Sequence, residues 1–137
     1  IAAIGDRPLG IQASQVAAVA RWLQGRSESP GRKGRVTVVS RGPRAGLIAL
    51  VAAGLEPRAI GGVESHEALR SLKQVIEENW PVSNAPEVFC FGLLAQFDVP
   101  QLTALVAPRK VRAVERDRPE ATSTGPVPRE TVNKAKP

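Results

Sequence analysis

The stretch VTVVSRGPRAGLIALVAAGLE, residues 36–56, decides the fold of this chain. Its first residues, VTVVS, are β-branched and almost continuously apolar, which is typical of a parallel strand buried on both faces. A turn with glycines follows, and LIALVAAGLE then predicts a helix whose alanines allow close packing on a sheet, with Pro57 as its stop. We therefore expect a strand, a tight turn and a helix in immediate succession.

Two further strands are predicted downstream of this stretch. We expect strands at residues 36–39, 59–63 and 111–114, adjacent and parallel, with right-handed crossovers between them. Gly61 and Gly62 fall inside the second strand, where glycine either marks a bulge or leaves room for a close approach to the backbone.

Helical patterns fill most of the remaining chain. Apolar residues recur at i, i+3, i+4 and i+7 from Val16, which predicts a helix at 9–24 with Ser14 as a candidate cap. Residues 66–80 and 83–97 are predicted helices as well. Residues 98–107 open with Asp98 and carry Gln101 three positions later, the pattern of a capping box.

Alternating strands and helices predict the α/β class, here a three-layer αβα arrangement around a short parallel sheet. Three strands make a thin sheet, so we expect the remaining part of the domain, or another chain, to complete it. Residues 1–116 are predicted to form this partial domain. Residues 117–137 are polar and proline-rich without an apolar period, and we expect a disordered tail.

Composition excludes several classes of protein. The net charge of +6 is scattered, and the two tryptophans and three phenylalanines lie in apolar segments, so we expect core aromatics and no nucleic-acid binding. No run approaches the roughly 20 apolar residues of a membrane helix. The chain starts at Ile1 and lacks methionine, which leads us to expect a piece of a longer protein. Cys90, in an apolar setting, is predicted to be a buried, inert thiol.

The order of these elements resembles the α/β-hydrolase fold, in which a strand runs into a Gly-x-Ser-x-Gly elbow and then an alanine-rich helix. The stretch GRVTVVSRGPRAGLIALVAAGLEPR matches that order. FDVPQLTALVAPRKVRAV is similar to the segment through the seventh strand of acetylxylan esterases and dienelactone hydrolases, and DRPLGIQASQVAAVARWL is similar to the helix before their elbow. The resemblance covers residues 9–114. It implies acyl transfer to serine and then hydrolysis of a carboxylic ester.

The elbow itself departs from that pattern. Its glycines are present as Gly42 and Gly46, but Arg44 stands where the resemblance places the nucleophile. A guanidinium stays protonated and cannot attack a carbonyl. Two interpretations remain open: Arg44 marks a lost activity, or its charge binds an anionic ligand. In both we expect Arg44 to face solvent or an acidic group, Glu64 or Asp117, and Arg44→Ser to change stability little.

The other candidate site residues are few. The resemblance implies a histidine after an eighth strand, whereas the one histidine in the sequence is His66. Glu64, Ser65 and His66 offer an acid, a hydroxyl and an imidazole at one strand end, but residues adjacent in a strand point in different directions. Asp117 follows the third strand, near where the resemblance places the catalytic acid.

The sequence therefore predicts an esterase-like domain that is inactive as this chain. The alternatives are a non-catalytic scaffold or anion-binding domain, and an active hydrolase that uses Ser65 or Ser40. No HExxH, CxxC or Walker pattern is present, so no metal or other cofactor is expected. The expected ligand is a small ester or an anion.

Overall fold

The computed structural model describes residues 7–26, 34–89 and 92–114. Cys90, Phe91, Asp117 and the predicted tail lie outside these ranges. The elements run in the order α1 (Pro8–Gly25), β1 (Val36–Arg41), α2 (Pro43–Leu55), β2 (Ile60–His66), α3 (Lys73–Glu77), a 3-10 turn (Pro86–Val88), α4 (Leu93–Gln96), α5 (Val99–Val106) and β3 (Lys110–Val114). None of the described helices combines the length and apolar character needed to cross a membrane.

The sheet confirms the predicted α/β class. The three strands are parallel and lie side by side in chain order, with β2 between β1 and β3. The register shifts between Val36, opposite Ile60, and Thr37, opposite Gly62, so Gly61 is the extra residue of a bulge. A Cβ on Gly62 would lie 3.0 Å from the carbonyl oxygen of Lys110. The glycine pair thus provides both a bulge and a close strand approach.

Among the described residues, helices cover one face of the sheet. Along β1, Val38 and Ser40 are turned toward the helices, whereas Thr37, Val39 and Arg41 are exposed, with Val39 at 67%. Parallel sheets normally carry helices on both faces. The second helical layer of the predicted three-layer arrangement is therefore not supplied by the residues that the structure describes.

Helix α2 packs closely because its residues are small. A Cβ on Gly46 would lie 2.8 Å from Cβ of Ala68, so any larger residue there would force the loop after β2 away from the helix. Alanines supply much of the rest of the contact surface between α1, α2 and the sheet. The best-buried members of this core are Ala13, Ala52, Ala53, Ala59, Ile60 and Val106.

Three predictions about the helices are wrong. Helix α1 begins at Pro8 after Arg7, and Ser14 is an exposed residue inside it, not its cap. Residues 66–80 do not form one helix, because β2 extends through His66 and only Lys73–Glu77 is helical. The described part of 83–97 contains the short 3-10 turn and α4 in place of one continuous helix.

The aromatic side chains also differ from expectation. Trp22 and Phe97 are exposed and do not belong to the core that their sequence pattern predicts. Trp80 and Phe89 are partly buried against a second apolar cluster around Leu72.

Candidate functional site

The turn between β1 and α2 places its strained backbone at Gly42. This residue has φ of 85°, in the region that favours glycine, and its N–H donates to the carbonyl oxygen of His66 at 2.8 Å. Pro43 is the first residue of α2 and Arg44 the second. In a nucleophile elbow the nucleophile itself occupies the strained position. Here that position has no side chain, and Arg44 lies inside the helix.

Arg44 forms an ion pair with a carboxylate that the sequence did not indicate. Its Nη2 donates to Oε1 of Glu87 at 2.6 Å; the arginine side chain is 49% exposed and the glutamate side chain 4%. Nε2 of Gln12, in α1, donates to the same oxygen at 2.8 Å. The expectation that Arg44 faces an acidic group is confirmed, but the partner is Glu87 and not Glu64.

The charge state of Glu87 follows from these contacts. Burial alone raises the pKa of its carboxyl, but hydrogen bonds from Arg44, from the backbone and from Gln12 outweigh burial, and the net pKa lies below the ordinary 4.5. Glu87 is therefore ionised at neutral pH and neutralises Arg44.

Two buried acceptors remain in this cluster. Oε2 of Glu87 and Oε1 of Gln12 are shielded from solvent and have no hydrogen-bond donor among the described groups. The surroundings of Arg44 are thus rich in acceptors and poor in donors. An anion needs the opposite arrangement, several donors converging on one point.

The two candidate serines face each other in the interior. The Oγ atoms of Ser40 and Ser65 lie 2.9 Å apart, and Ser40 also reaches the carbonyl oxygen of Glu64 at 3.4 Å. Both residues are buried, beneath the helices. No imidazole or carboxylate side chain bonds to either hydroxyl within the described ranges, so neither serine has a base that would activate it.

Glu64 and His66 lie on the opposite, uncovered face of the sheet. Nε2 of His66 and Oε1 of Glu64 are 2.9 Å apart, and each side chain is about one-third exposed. An acid and an imidazole do meet here, as in the orienting half of a catalytic triad. Ser65 lies between them in sequence but points to the other face, and no hydroxyl in the described part of the chain bonds to His66.

Asp98 is a structural residue, as its capping-box pattern predicts. Its carboxylate accepts from the N–H of Val99 at 2.7 Å, and Gln101 completes the box. It also accepts from Oγ of Ser71 and from the N–H of Leu72, both at 2.6 Å. Burial raises the pKa of Asp98, but these hydrogen bonds outweigh burial and the net pKa is lowered.

Sequence reasoning missed Glu87 and Gln12. The available signal was a lone charged residue inside the apolar segment PEVFCFGLL, since a carboxylate is rarely buried without a cationic or hydrogen-bonding partner. The described residues contain no group of three or more histidine, cysteine, aspartate or glutamate side chains placed to hold a metal ion.

Comparison of the chain with protein-family models, with curated proteins and with solved structures found no match. The assignment of a function therefore depends on the geometry of the turn and of the strand ends.

Proposed function

We propose that this chain is an α/β-hydrolase-like domain segment of carboxylic-ester-hydrolase ancestry that is not catalytic by itself. The observation that supports this most directly is the β1–α2 turn. A strand, a tight turn with positive φ and an alanine-rich helix follow one another as in the elbow, while the strained position is occupied by Gly42, which has no side chain to react.

Ester hydrolysis by this type of site needs a nucleophile, a base that is itself oriented by an acid, and donors for an oxyanion. The described residues separate these parts. The hydroxyls of Ser40 and Ser65 bond to each other under the helices, and the imidazole of His66 bonds to Glu64 on the other face. Because the sheet lies between them, a proton cannot pass directly from either serine to His66.

The alternative of an anion-binding domain centred on Arg44 loses support for an electrostatic reason. Glu87 holds the guanidinium at 2.6 Å and cancels its charge. An incoming anion would also be repelled by the carboxylate of Glu87, which stays in place with Gln12 as its other side-chain partner. A scaffolding role is compatible with this pairing, because the ion pair connects α2 to the 3-10 turn.

The test is an assay of the purified chain with a short-chain aryl ester, together with labelling by a fluorophosphonate that reacts with activated serines. We expect turnover equal to a buffer control and no labelling. Ser40→Ala and Ser65→Ala serve as matched variants. Turnover that disappears in Ser65→Ala but persists in Ser40→Ala would contradict the proposal and assign catalysis to the end of β2.

Arg44→Ser provides a second arm of the same test. It restores the serine of the elbow pattern without supplying a base or the strained backbone, which remains at Gly42. We expect no gain of esterase activity. A gain would mean that a base lies within reach of position 44.

A further inference from the structure

An apolar groove lies between the helices. It measures about 400 Å³, which is within the range of small-molecule sites. Helix α2 lines it with Leu50, Val51, Gly54 and Leu55, and the remaining lining residues belong to α1, α4 and α5 or to the caps of these helices. None of the described strand residues contributes to the lining. The groove is therefore separate from the edges and the open face of the sheet, where the rest of a partial domain is expected.

Two glycines widen this groove. Gly10 of α1 and Gly54 of α2 both line it, and a Cβ on either would meet no described atom within 4 Å beyond its own helix. Glycine is a poor helix former, and neither residue has the positive φ that explains many glycines at helix ends. Gly46 differs, because close packing against Ala68 requires it. No contact within the described chain accounts for Gly10 and Gly54, so the space that they leave is open to a ligand.

A single charge lies at the rim of the groove. Arg7 is exposed and is the one charged residue among the described residues that line it. The same arginine also lines a more open hollow, together with Ser14 and Gln15 of α1. Within the described ranges no carboxylate lines either hollow, and none pairs with the Arg7 guanidinium. The site is thus apolar along its length and cationic where it meets the polar hollow.

We propose that this groove binds an amphiphile, namely an alkyl chain with one anionic head group such as a carboxylate. The chain lies against α2 and α5 and replaces water over Leu55 and Leu105, which are 63% and 55% exposed. The head group accepts hydrogen bonds from Arg7, because a carboxylate matches the fork of a guanidinium. Apolar contacts alone would suit any apolar occupant, whereas the charge of Arg7 selects a negatively charged one.

Titration calorimetry of the full chain with straight-chain carboxylates from hexanoate to decanoate, each below its micelle concentration, tests this proposal. No ester substrate is involved, so the outcome is independent of the esterase assay. Affinity should rise about fourfold with each added CH₂ until the groove is filled. Octylamine has the same chain length as octanoate and the opposite charge, and it should bind about tenfold more weakly. A wild-type chain that binds none of these carboxylates, or that binds octylamine as well as octanoate, would overturn the proposal.

Variants of the lining residues separate the two parts of the site. Gly10→Leu and Gly54→Leu fill the groove, and each should lower the octanoate affinity about tenfold. The thermal midpoint should not fall, because leucine is the better helix former. Gly25→Leu is the matched control, since a Cβ there also meets nothing within 4 Å and Gly25 lies at the far end of α1 from the groove. Arg7→Gln should lower octanoate affinity about threefold and leave the affinity for 1-octanol unchanged.

The competing occupant is the apolar sequence IAAI, which precedes Arg7 in the chain. A double variant with Ile1→Ser and Ile4→Ser should bind octanoate as the wild type does. A clear rise in its affinity would show that the first residues of the chain fill the groove, and would overturn the proposal. Octanoate binding that is equally strong in the wild type, Gly10→Leu and Gly54→Leu would overturn it as well, because the ligand would then lie elsewhere.

Discussion

Replacing Arg44 measures how much the ion pair with Glu87 contributes to stability. Arg44→Met keeps the apolar part of the side chain and removes the charge, leaving a carboxylate that is 4% exposed with Gln12 as its other side-chain partner. Breaking a fully buried pair costs about 3–5 kcal/mol. Arg44 is 49% exposed, so water screens part of the interaction, and we expect a loss of about 1–3 kcal/mol.

Urea denaturation gives the free energy of unfolding for each variant. Arg44→Ser should lower the free energy of unfolding by a similar amount. The sequence had led us to expect almost no change in stability for this substitution. Arg41→Met is the matched control, since Arg41 is 3.4 Å from Glu67 and its side chain is 77% exposed, and it should lose less. In a double-mutant cycle with Glu87→Gln, the two losses should not add, because each change removes the same contact.

The pH dependence of stability gives an independent check. The pKa of Glu87 is below 4.5 in the folded chain, so its contribution is complete above that pH and is lost as the pH falls through the folded value. Glu87→Gln should flatten the fall in stability below pH 4.5 relative to the wild type. The reasoning is refuted if Arg44→Met is no less stable than Arg41→Met and if acid destabilises Glu87→Gln as steeply as the wild type.

Two further predictions concern residues that join elements. Nη1 of Arg109 donates to the carbonyl oxygens of Ala53 at 2.6 Å and Ile60 at 3.1 Å, so Arg109→Ala should reduce stability by about 2 kcal/mol in urea denaturation, with Arg109→Lys recovering only part of it. Asp98→Ala removes the α5 cap and the acceptor for Ser71 and Leu72, and should lower stability by about 2 kcal/mol, whereas an unchanged thermal midpoint would contradict the capping role.

The strands and two helices were predictable because their signals are local. VTVVS and KVRAV carry β-branched residues at strand length, and the alanine-rich helix starts at a proline and packs as its composition indicates. The capping box needs only Asp98 and Gln101, which lie within four consecutive residues, so the sequence pattern indicates it directly. In each case residues close together in the sequence determine the local structure.

The segment after β2 was not predictable in the same way, because distant groups set its backbone. Glu67 has φ of 56°, which is not helical. The carboxylate of Asp98 accepts hydrogen bonds from the Ser71 hydroxyl and from the N–H of Leu72, so α3 begins only at Lys73. At the other end Asn79 has φ of 50° and the N–H of Trp80 donates to Val75 at 3.0 Å, which ends the helix after little more than a turn.

In the candidate site, too, features set by neighbouring residues were predictable and features set by distant residues were not. The turn glycines follow from sequence order, but the acidic partner of Arg44 is Glu87, 43 positions away in a segment predicted as a helix, and the sequence did not indicate it. The separation of Ser65 from His66 was predictable from strand alternation. The direct bond between Ser40 and Ser65 needed the register of β1 against β2, which the apolar patterns of the two strands do not fix by themselves.

That serine pair also determines which alignment of the two strands can form. A sequence such as VTVV offers nearly equivalent apolar contacts when it slides along its neighbour, so hydrophobic packing alone discriminates poorly between offsets. In the native offset Ser40 lies beside Ser65, and the two hydroxyls satisfy each other at 2.9 Å in a buried position. An offset that separates the two residues removes this hydrogen bond, and a buried hydroxyl that finds no other acceptor or donor costs about 1–3 kcal/mol. A polar contact of two atoms thereby selects one sliding position for an otherwise ambiguous strand.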